Sequence, residues 1–231
     1  MSEIIVALDV PDRERALRLV ERLGDTADFY KVGLQLYTAW GPDAVRELRG
    51  LGKRVFLDLK LHDIPNTVAE AVRSARELGV ELLTVHAAGG RAMLGSAAAA
   101  AAERGGTRLL AVTVLTSMDS SELGRTWGRD GLSVEEEVVR LGRMAVEAGL
   151  DGLVASGEEA PRLRREFGPR MLIVTPGIRL AGGGHHDQLR VLTPGEAVAR
   201  GADHLVVGRA VTSAPDPVEA LRQVRREAGA A

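Results

Sequence analysis

The sequence predicts an α/β chain folded as a single (β/α)₈ TIM barrel over residues 1–231, and three observations predict it. First, eight short β-rich runs alternate with amphipathic helical patterns, at about 29 residues per unit, close to the smallest repeat a βαβ unit allows. Second, no proline- or serine-rich linker and no shift of composition divides the chain. Third, polar residues close strands from the first to the last. A closed barrel gathers all those ends at one mouth, whereas a doubly wound open sheet leaves some far from its crevice. The open sheet also lacks its signature here, because no G-x-G-x-x-G turn follows the first strand.

The strands are expected at residues 4–9, 29–34, 54–60, 82–87, 109–115, 152–156, 171–176 and 204–209. Asp12 can cap the first helix, with Ala16, Leu19, Val20 and Leu23 on one face and Gly24 at its end. Pro65 opens a later helix in which Val68, Ala71, Val72 and Ala75 share a face, with Gly79 beyond its end. The alanine run at 97–102 reads as a close-packed helix, since alanine is the strongest helix former. Ser133 and Glu136 have capping-box spacing ahead of Val138, Leu141 and Ala145. Trp40 and Trp127 read as packing or loop anchors.

With 45% hydrophobic and 27% charged residues the composition is that of a globular protein. A net charge of -2 and 3% aromatic residues argue against a nucleic-acid partner, which needs a basic face or stacking platforms. The absence of cysteine excludes disulfides, thiolate metal sites and a cysteine nucleophile. No apolar run reaches membrane length, and the start Met1-Ser2-Glu3 lacks a basic leader, so no membrane partner and a cytoplasmic location are expected.

Parallel strands covered on both faces should be apolar runs, yet three here carry charge. The first ends Val6-Ala7-Leu8-Asp9, the second contains Tyr30-Lys31-Val32, and the third reads Val55-Phe56-Leu57-Asp58-Leu59-Lys60 before Leu61-His62-Asp63. Strand alternation puts Asp58 and Lys60 on one face and the neighbouring leucines on the other. If the leucines pack on helices, the charges point into the barrel near its C-terminal mouth. One reading is a structural ion-pair network. The other is an active site of alternating charge built from Asp9, Lys31, Asp58, Lys60 and Asp63, in which the carboxylates keep the lysines protonated. A protonated Lys60 could serve as general acid or stabilise a carbanion, whereas a Schiff base needs a neutral amine.

At the far end of the chain, Thr175-Pro176-Gly177-Ile178-Arg179 follows the seventh strand, the glycine-rich stretch 182–188 comes next, and the eighth strand ends Val206-Val207-Gly208-Arg209. Loops after strands seven and eight often hold phosphate in such barrels. Arg179 and Arg209 supply charged forks and Gly208 allows close backbone approach, although either arginine alone reads equally as a solvated loop charge. Thr116 and Ser117 could bond a polar ring or simply form a turn. His62 and His86 read as hydrogen-bonded mouth or loop histidines, and the adjacent pair His185-His186 lacks the spacing of a helical metal site.

The segment Asp58-Leu59-Lys60-Leu61-His62-Asp63-Ile64-Pro65-Asn66-Thr67 closely resembles the orotidine 5′-phosphate decarboxylase family. The resemblance continues through Ala7-Leu8-Asp9, Lys31-Val32-Gly33, Thr113-Val114-Leu115-Thr116-Ser117-Met118, Thr175-Pro176-Gly177-Ile178-Arg179, Asp187-Gln188 and Val207-Gly208-Arg209, and so runs over nearly the whole chain. The D-x-K-x-x-D core is shared with sugar-phosphate decarboxylases and aldolases; the continuation from Ile64 to Thr67 is more specific. Residues 182–186 are richer in glycine and histidine than the family pattern.

That resemblance implies a homodimeric barrel with sites at the subunit interface. It implies conversion of orotidine 5′-phosphate to uridine 5′-phosphate in pyrimidine biosynthesis, with no metal or organic cofactor. Lys60 would protonate C6, Asp58 would lie by the departing carboxylate, and Lys31 and Asp9 would hold the network and the ribose. Asp63, as a further catalytic residue, and Thr67 would enter the partner's site, and Ile64 would contact substrate. Thr116 would contact the pyrimidine, and Pro176, Arg179, Gln188, Gly208 and Arg209 would hold the nucleotide at its phosphate end. The competing readings are a metal-dependent sugar-phosphate decarboxylase or aldolase and a non-catalytic nucleotide-binding barrel.

Overall fold

The structure, a computed structural model, describes residues 2–103, 106–180 and 191–229. Its elements run β1 (Glu3–Ala7), α1 (Arg13–Leu23), β2 (Phe29–Gly33), α2 (Leu34–Trp40), α3 (Asp43–Gly50), β3 (Arg54–Leu61), α4 (Pro65–Glu77), β4 (Leu82–His86), α5 (Gly90–Ala102), β5 (Arg108–Val112), α6 (Ser120–Trp127), α7 (Val134–Glu147), β6 (Gly152–Val154), α8 (Ala160–Phe167), β7 (Leu172–Thr175), α9 (Pro194–Ala199), β8 (His204–Val207), α10 (Arg209–Thr212) and α11 (Pro217–Glu227). The strands form a closed parallel barrel in chain order, sealed by β1 on β8 through Glu3↔His204 to Val6↔Val207. The (β/α)₈ architecture expected from the sequence is therefore present.

Two buried layers hold it together. The larger lies between the barrel and its helices and takes in Leu57, Leu83 and Val85 from the strands with Leu19, Val72 and Leu94 from the helices. The smaller is the barrel interior: Ile5, Ala7, Phe29, Phe56, Leu82, Leu110, Val174 and Val206. The interior is thus packed with side chains, as an eight-stranded barrel requires.

Local signals explain the helices. The Asp12 side chain accepts from the Arg15 N–H at 2.8 Å, and Gly24 closes α1 at a φ of 50°. The alanine run buries Ala97, Ala100 and Ala101, which lets α5 lie close on α4. On α4, Ala69 takes a buried place with Val68, Val72 and Ala75, while Ala71 is only half-buried. The capping box expected at Ser133 is half made. Ser133 accepts from the Glu136 N–H at 3.4 Å, but the exposed Glu136 carboxylate stays in solvent. The reciprocal pair occurs instead at Thr193 and Glu196, ahead of α9. Trp40 packs on the core beneath Arg13, whereas Trp127 is 45% exposed.

The bottom of the barrel is closed by charge. The Arg54 guanidinium donates to Glu81 at 2.7 Å and to Glu3 at 2.8 Å, and stacks 4.2 Å over the Phe29 ring. Arg108 donates to Glu81 at 2.8 Å. Hydrogen bonds from Arg54 hold both carboxyls below the usual range, against the opposing effect of burial. His204 Nε2 lies 2.9 Å from Glu3 Oε2 but is poorly aligned for a hydrogen bond, and burial depresses its imidazole pKa. Function is therefore left to the opposite rim, where β5, β6 and β8 end at Val112, Val154 and Val207, two or three residues earlier than the sequence pattern suggests. The residues beyond those points leave the ladder to line the mouth.

Candidate active site

Inward-facing positions alternate up each strand, and on four consecutive strands the upper ones turn polar. Above Ile5 and Ala7 on β1 comes Asp9; above Phe29 on β2 comes Lys31; above Phe56 on β3 comes Asp58; above Leu82 on β4 comes Thr84. Lys31 is 7% exposed, and its ammonium donates to Asp9 Oδ1 at 2.9 Å and lies 3.6 Å from Asp58 Oδ2. Lys60 Nζ donates to Asp58 Oδ1 at 2.9 Å. The four groups therefore form a chain of alternating sign, Asp9–Lys31–Asp58–Lys60.

Burial is the largest influence on Asp58 and pushes its carboxyl up. The charges of Lys31 and Lys60, with hydrogen bonds from Lys60 and Thr84, outweigh it and hold the carboxyl below the usual range. The magnitudes agree. One opposite charge at 4 Å contributes about 4 kcal/mol at an effective dielectric near 20, and desolvating an ion costs several kcal/mol. One lysine would roughly balance burial; two decide for the ionised form.

Lys60 reaches this position by an irregular route. β3 pairs with β4 at Leu57↔Leu83 and next at Leu61↔Val85, so four steps on β3 oppose two on β4. Within this bulge Lys60 takes a φ of 51°, alone among the described non-glycine residues in being positive. Such a conformation costs a side-chain-bearing residue roughly 1–3 kcal/mol and persists where the surroundings impose it. Here the Lys60 N–H donates to the Thr84 hydroxyl at 2.8 Å, and that hydroxyl donates to Asp58 Oδ1 at 2.9 Å. Asp58 and Lys60 do meet at the mouth, but through a bulge rather than by the simple alternation the sequence implied. Gly33 crowds the same cluster, since a Cβ there would lie 2.8 Å from Lys31 Nζ and 3.1 Å from Asp9 Oδ1.

Asp9, Lys31, Asp58 and Lys60 line a cavity of about 450 Å³ whose other walls include Val112, Val114, Leu115, Thr116, Val154 and Pro176, closed by Arg179, Gly208, Arg209 and Thr212. Arg179 is buried and donates to the Ile178 carbonyl at 2.9 Å. Burial, then the nearby positive charge of Arg209, lowers its guanidinium pKa. Both guanidinium groups line the cavity, giving this end of it positive charge. A model of the orotidine 5'-phosphate decarboxylase / HUMPS family matches residues 2–224.

The chain belongs to that family.

The orotidine 5'-phosphate decarboxylase of Moorella thermoacetica is 52% identical over 98% of this chain and 92% of its own length. That of Nitrosococcus oceani is 50% identical over 98% and 97%. The crystal structure of the Lactobacillus acidophilus orotidine 5'-phosphate decarboxylase matches with a TM-score of 0.86 at 38% identity, covering 99% of both chains.

In this member of the orotidine 5'-phosphate decarboxylase family the fold brings Asp9, Lys31, Asp58, Lys60, Thr116, Pro176, Arg179, Gly208 and Arg209 to one cavity. Asp63, Ile64 and Thr67 lie outside it. The Asp63 carboxylate accepts from the Ile64 N–H at 2.7 Å, Ile64 is 67% exposed, and Thr67 is exposed. Gln188 and the glycine- and histidine-rich stretch 182–186 fall outside the described residues. Ser117 is exposed. His62 and His86 are not the hydrogen-bonded histidines the sequence suggested. Their rings stack 5.3 Å apart, His86 Nδ1 is buried without a partner, and burial, with His62 and Lys60 beside it, lowers the His86 pKa.

Thr84 escaped the sequence reading. Its only signal there is a lone hydroxyl in the run Leu82-Leu83-Thr84-Val85, on the inward face. The apolar walls Val112, Val114 and Val154 read as ordinary core until the barrel closes around them.

Proposed function

We propose that the chain converts orotidine 5′-phosphate to uridine 5′-phosphate, a step of pyrimidine biosynthesis, with Lys60 supplying the proton to C6. The observation that carries this reading is the alternating Asp9–Lys31–Asp58–Lys60 chain lining the same cavity as Arg179 and Arg209. In this reading the arginines, Gly208 and Gln188 take the phosphate, Thr116 and Pro176 border the pyrimidine, and Asp9 and Lys31 hold the ribose. Among the described residues a Cβ at Gly208 would meet only the Ala7 Cβ, at an ordinary 3.9 Å, so the backbone there faces open space that a ligand can approach.

Loss of carbon dioxide leaves an electron pair on a ring carbon with no adjacent π-acceptor to receive it. Fixed positive charge aimed at that carbon lowers the barrier, and electrostatic preorganisation of this kind is commonly the largest catalytic contribution. The Lys60 ammonium stands beside Asp58, where the departing carboxylate would lie; as the C–C bond breaks, its charge stabilises the carbanion and its proton forms the new C6–H bond. Phosphate contacts remote from the ring supply binding energy used at the reacting centre.

The metal-dependent rival fits less well, because the Asp9 and Asp58 carboxylates are each directed at a lysine ammonium, a pairing that repels a divalent cation. The working form in this reading is a homodimer in which Asp63, Ile64 and Thr67 complete the neighbouring site. Support comes from the exposed Ile64 and Leu34, apolar side chains just beyond β3 and β2.

The test is loss of orotate-ring absorbance from orotidine 5′-phosphate with chelator-treated protein. Turnover is expected. No turnover, with activity on a sugar phosphate once magnesium is added, would replace this reading with the metal-dependent one. Tight nucleotide binding with no product would favour the non-catalytic barrel.

A further inference from the structure

We infer that Thr84 is a positioning residue for the reaction, holding Lys60 and Asp58 in register through its hydroxyl; the inference rests on the function proposed above and deepens it. Thr84 is fully buried, so no water stands in for its contacts. Its hydroxyl carries one proton. Because the Lys60 N–H already donates into the oxygen at 2.8 Å, that proton is directed to Asp58 Oδ1 at 2.9 Å. One side chain of β4 thereby ties the backbone of Lys60 to the carboxylate its ammonium touches.

Two consequences follow from this arrangement. The bulge between Leu57 and Leu61 leaves the Lys60 N–H without a ladder carbonyl, and Thr84 replaces it. That bond holds Lys60 at its positive φ. In addition, Asp58 Oδ1 receives both Thr84 and Lys60, while Oδ2 faces Lys31 at 3.6 Å. The hydroxyl therefore fixes the rotation of the carboxylate and assigns one oxygen to each lysine. Without it the carboxylate can turn, both ammonium groups compete for either oxygen, and Lys60 is free to relax to a negative φ. Thr116, Arg179 and Arg209, the groups proposed to hold the ligand, lie beyond the ends of β5, β7 and β8 and take no part in this bond.

The experiment compares Thr84→Val, which keeps the shape and deletes the hydroxyl, with Thr84→Ser, which keeps the hydroxyl. For Thr84→Val, kcat should fall on the order of 10²-fold, the loss attributed to misplacing a reacting group by about 1 Å, with KM nearly unchanged. Thr84→Ser should recover most of kcat. Crystal structures should show Lys60 at negative φ, or its contact with Asp58 broken, in Thr84→Val alone. Wild-type kcat in Thr84→Val overturns the inference. So does equal loss in both variants, which would point to packing. If the valine variant does not fold, the serine and a Thr84→Ala variant replace it, with urea midpoints reporting the folded fraction. If wild type itself turns nothing over, the functional proposal fails, while the Lys60 geometry in the variants still decides this inference.

Discussion

The Lys60 ammonium meets the Asp58 carboxylate at 2.9 Å although the two residues are only two apart on one strand, and Lys60 does so at a φ of 51°. In a regular strand such positions stand about 6.6 Å apart with side chains parallel. The bulge bends the second residue back over the first. Strain is thus stored at the residue proposed to carry the proton, in keeping with the clustering of strained conformations at functional sites.

Separating that strain from the charge requires two substitutions at one position. Lys60→Ala and Lys60→Gly both remove the ammonium, and both should lose on the order of 10³ in kcat, within the range of a general acid. Only alanine keeps the penalty of the left-handed conformation. The glycine variant should therefore be the more stable of the two by about 0.5–1 kcal/mol in urea unfolding, the left-handed cost of a Cβ less the extra chain entropy of glycine. An alanine variant as stable as the glycine one would mean that the conformation relaxes and stores nothing.

Gly33 offers a second route into the same cluster. A methyl group there would sit 2.8 Å from Lys31 Nζ, which is itself buried and shared between Asp9 and Asp58. Lys31 has nowhere to move without loosening one partner. Gly33→Ala should lower kcat/KM by about 10²-fold, the penalty expected for a displacement near 1 Å, while the urea midpoint stays close to wild type. Unchanged kinetics would show that the cluster tolerates the shift.

The barrel was legible because its evidence is periodic. Eight apolar runs, their helices and their polar ends repeat, and each repeat supports the others. The charged residues were legible for a related reason, since a buried parallel strand has no other use for Asp58 or Lys31. What the sequence hid depends on register. Whether β3 bulges against β4 is settled by cross-strand packing and by one hydroxyl, and Thr84 looks like any strand threonine until β4 is laid beside β3. The capping box went to Thr193 rather than Ser133 because both sites have the spacing and only one glutamate turns back. The exposure of Trp127 is likewise a tertiary outcome that residue type does not foretell.

At the opposite end, the ionic plug makes stability depend on pH. Glu81 is held below the usual carboxyl range chiefly by its hydrogen bonds to Arg54, and Glu3 likewise. The unfolded chain then binds more protons than the native one below about pH 4.5, so their contribution is present above that value and lost as pH falls through the native pKa. The depressed His204 has the same sign, with its loss beginning below about 6.5. The urea midpoint of wild type should fall as pH drops from 6.5 to 3. Glu81→Gln, already less stable at pH 7, should keep the upper part of that decline and fall less steeply than wild type below 4.5, where Glu3 still contributes. An equally steep decline below 4.5 in the variant would remove Glu81 from the account.

The partner's share of the site gives the last prediction. Asp63 sits three residues beyond Lys60, yet its carboxylate turns to its own Ile64 N–H and stays outside the cavity that holds Lys60. Ile64 beside it is 67% exposed, an apolar side chain without cover in the single chain. If a second copy covers it across a twofold axis, each site takes Lys60 from one subunit and Asp63 from the other. Lys60→Ala and Asp63→Ala would then each spoil both sites of their own dimers. Mixed in equal amounts and allowed to exchange, half the dimers become hybrids with one site carrying both native residues, which restores about a quarter of wild-type activity. Labelled subunits report the exchange by energy transfer. Exchange without recovered turnover would assign Asp63 to its own chain's chemistry or to none, because a residue acting within its own subunit cannot be supplied by another.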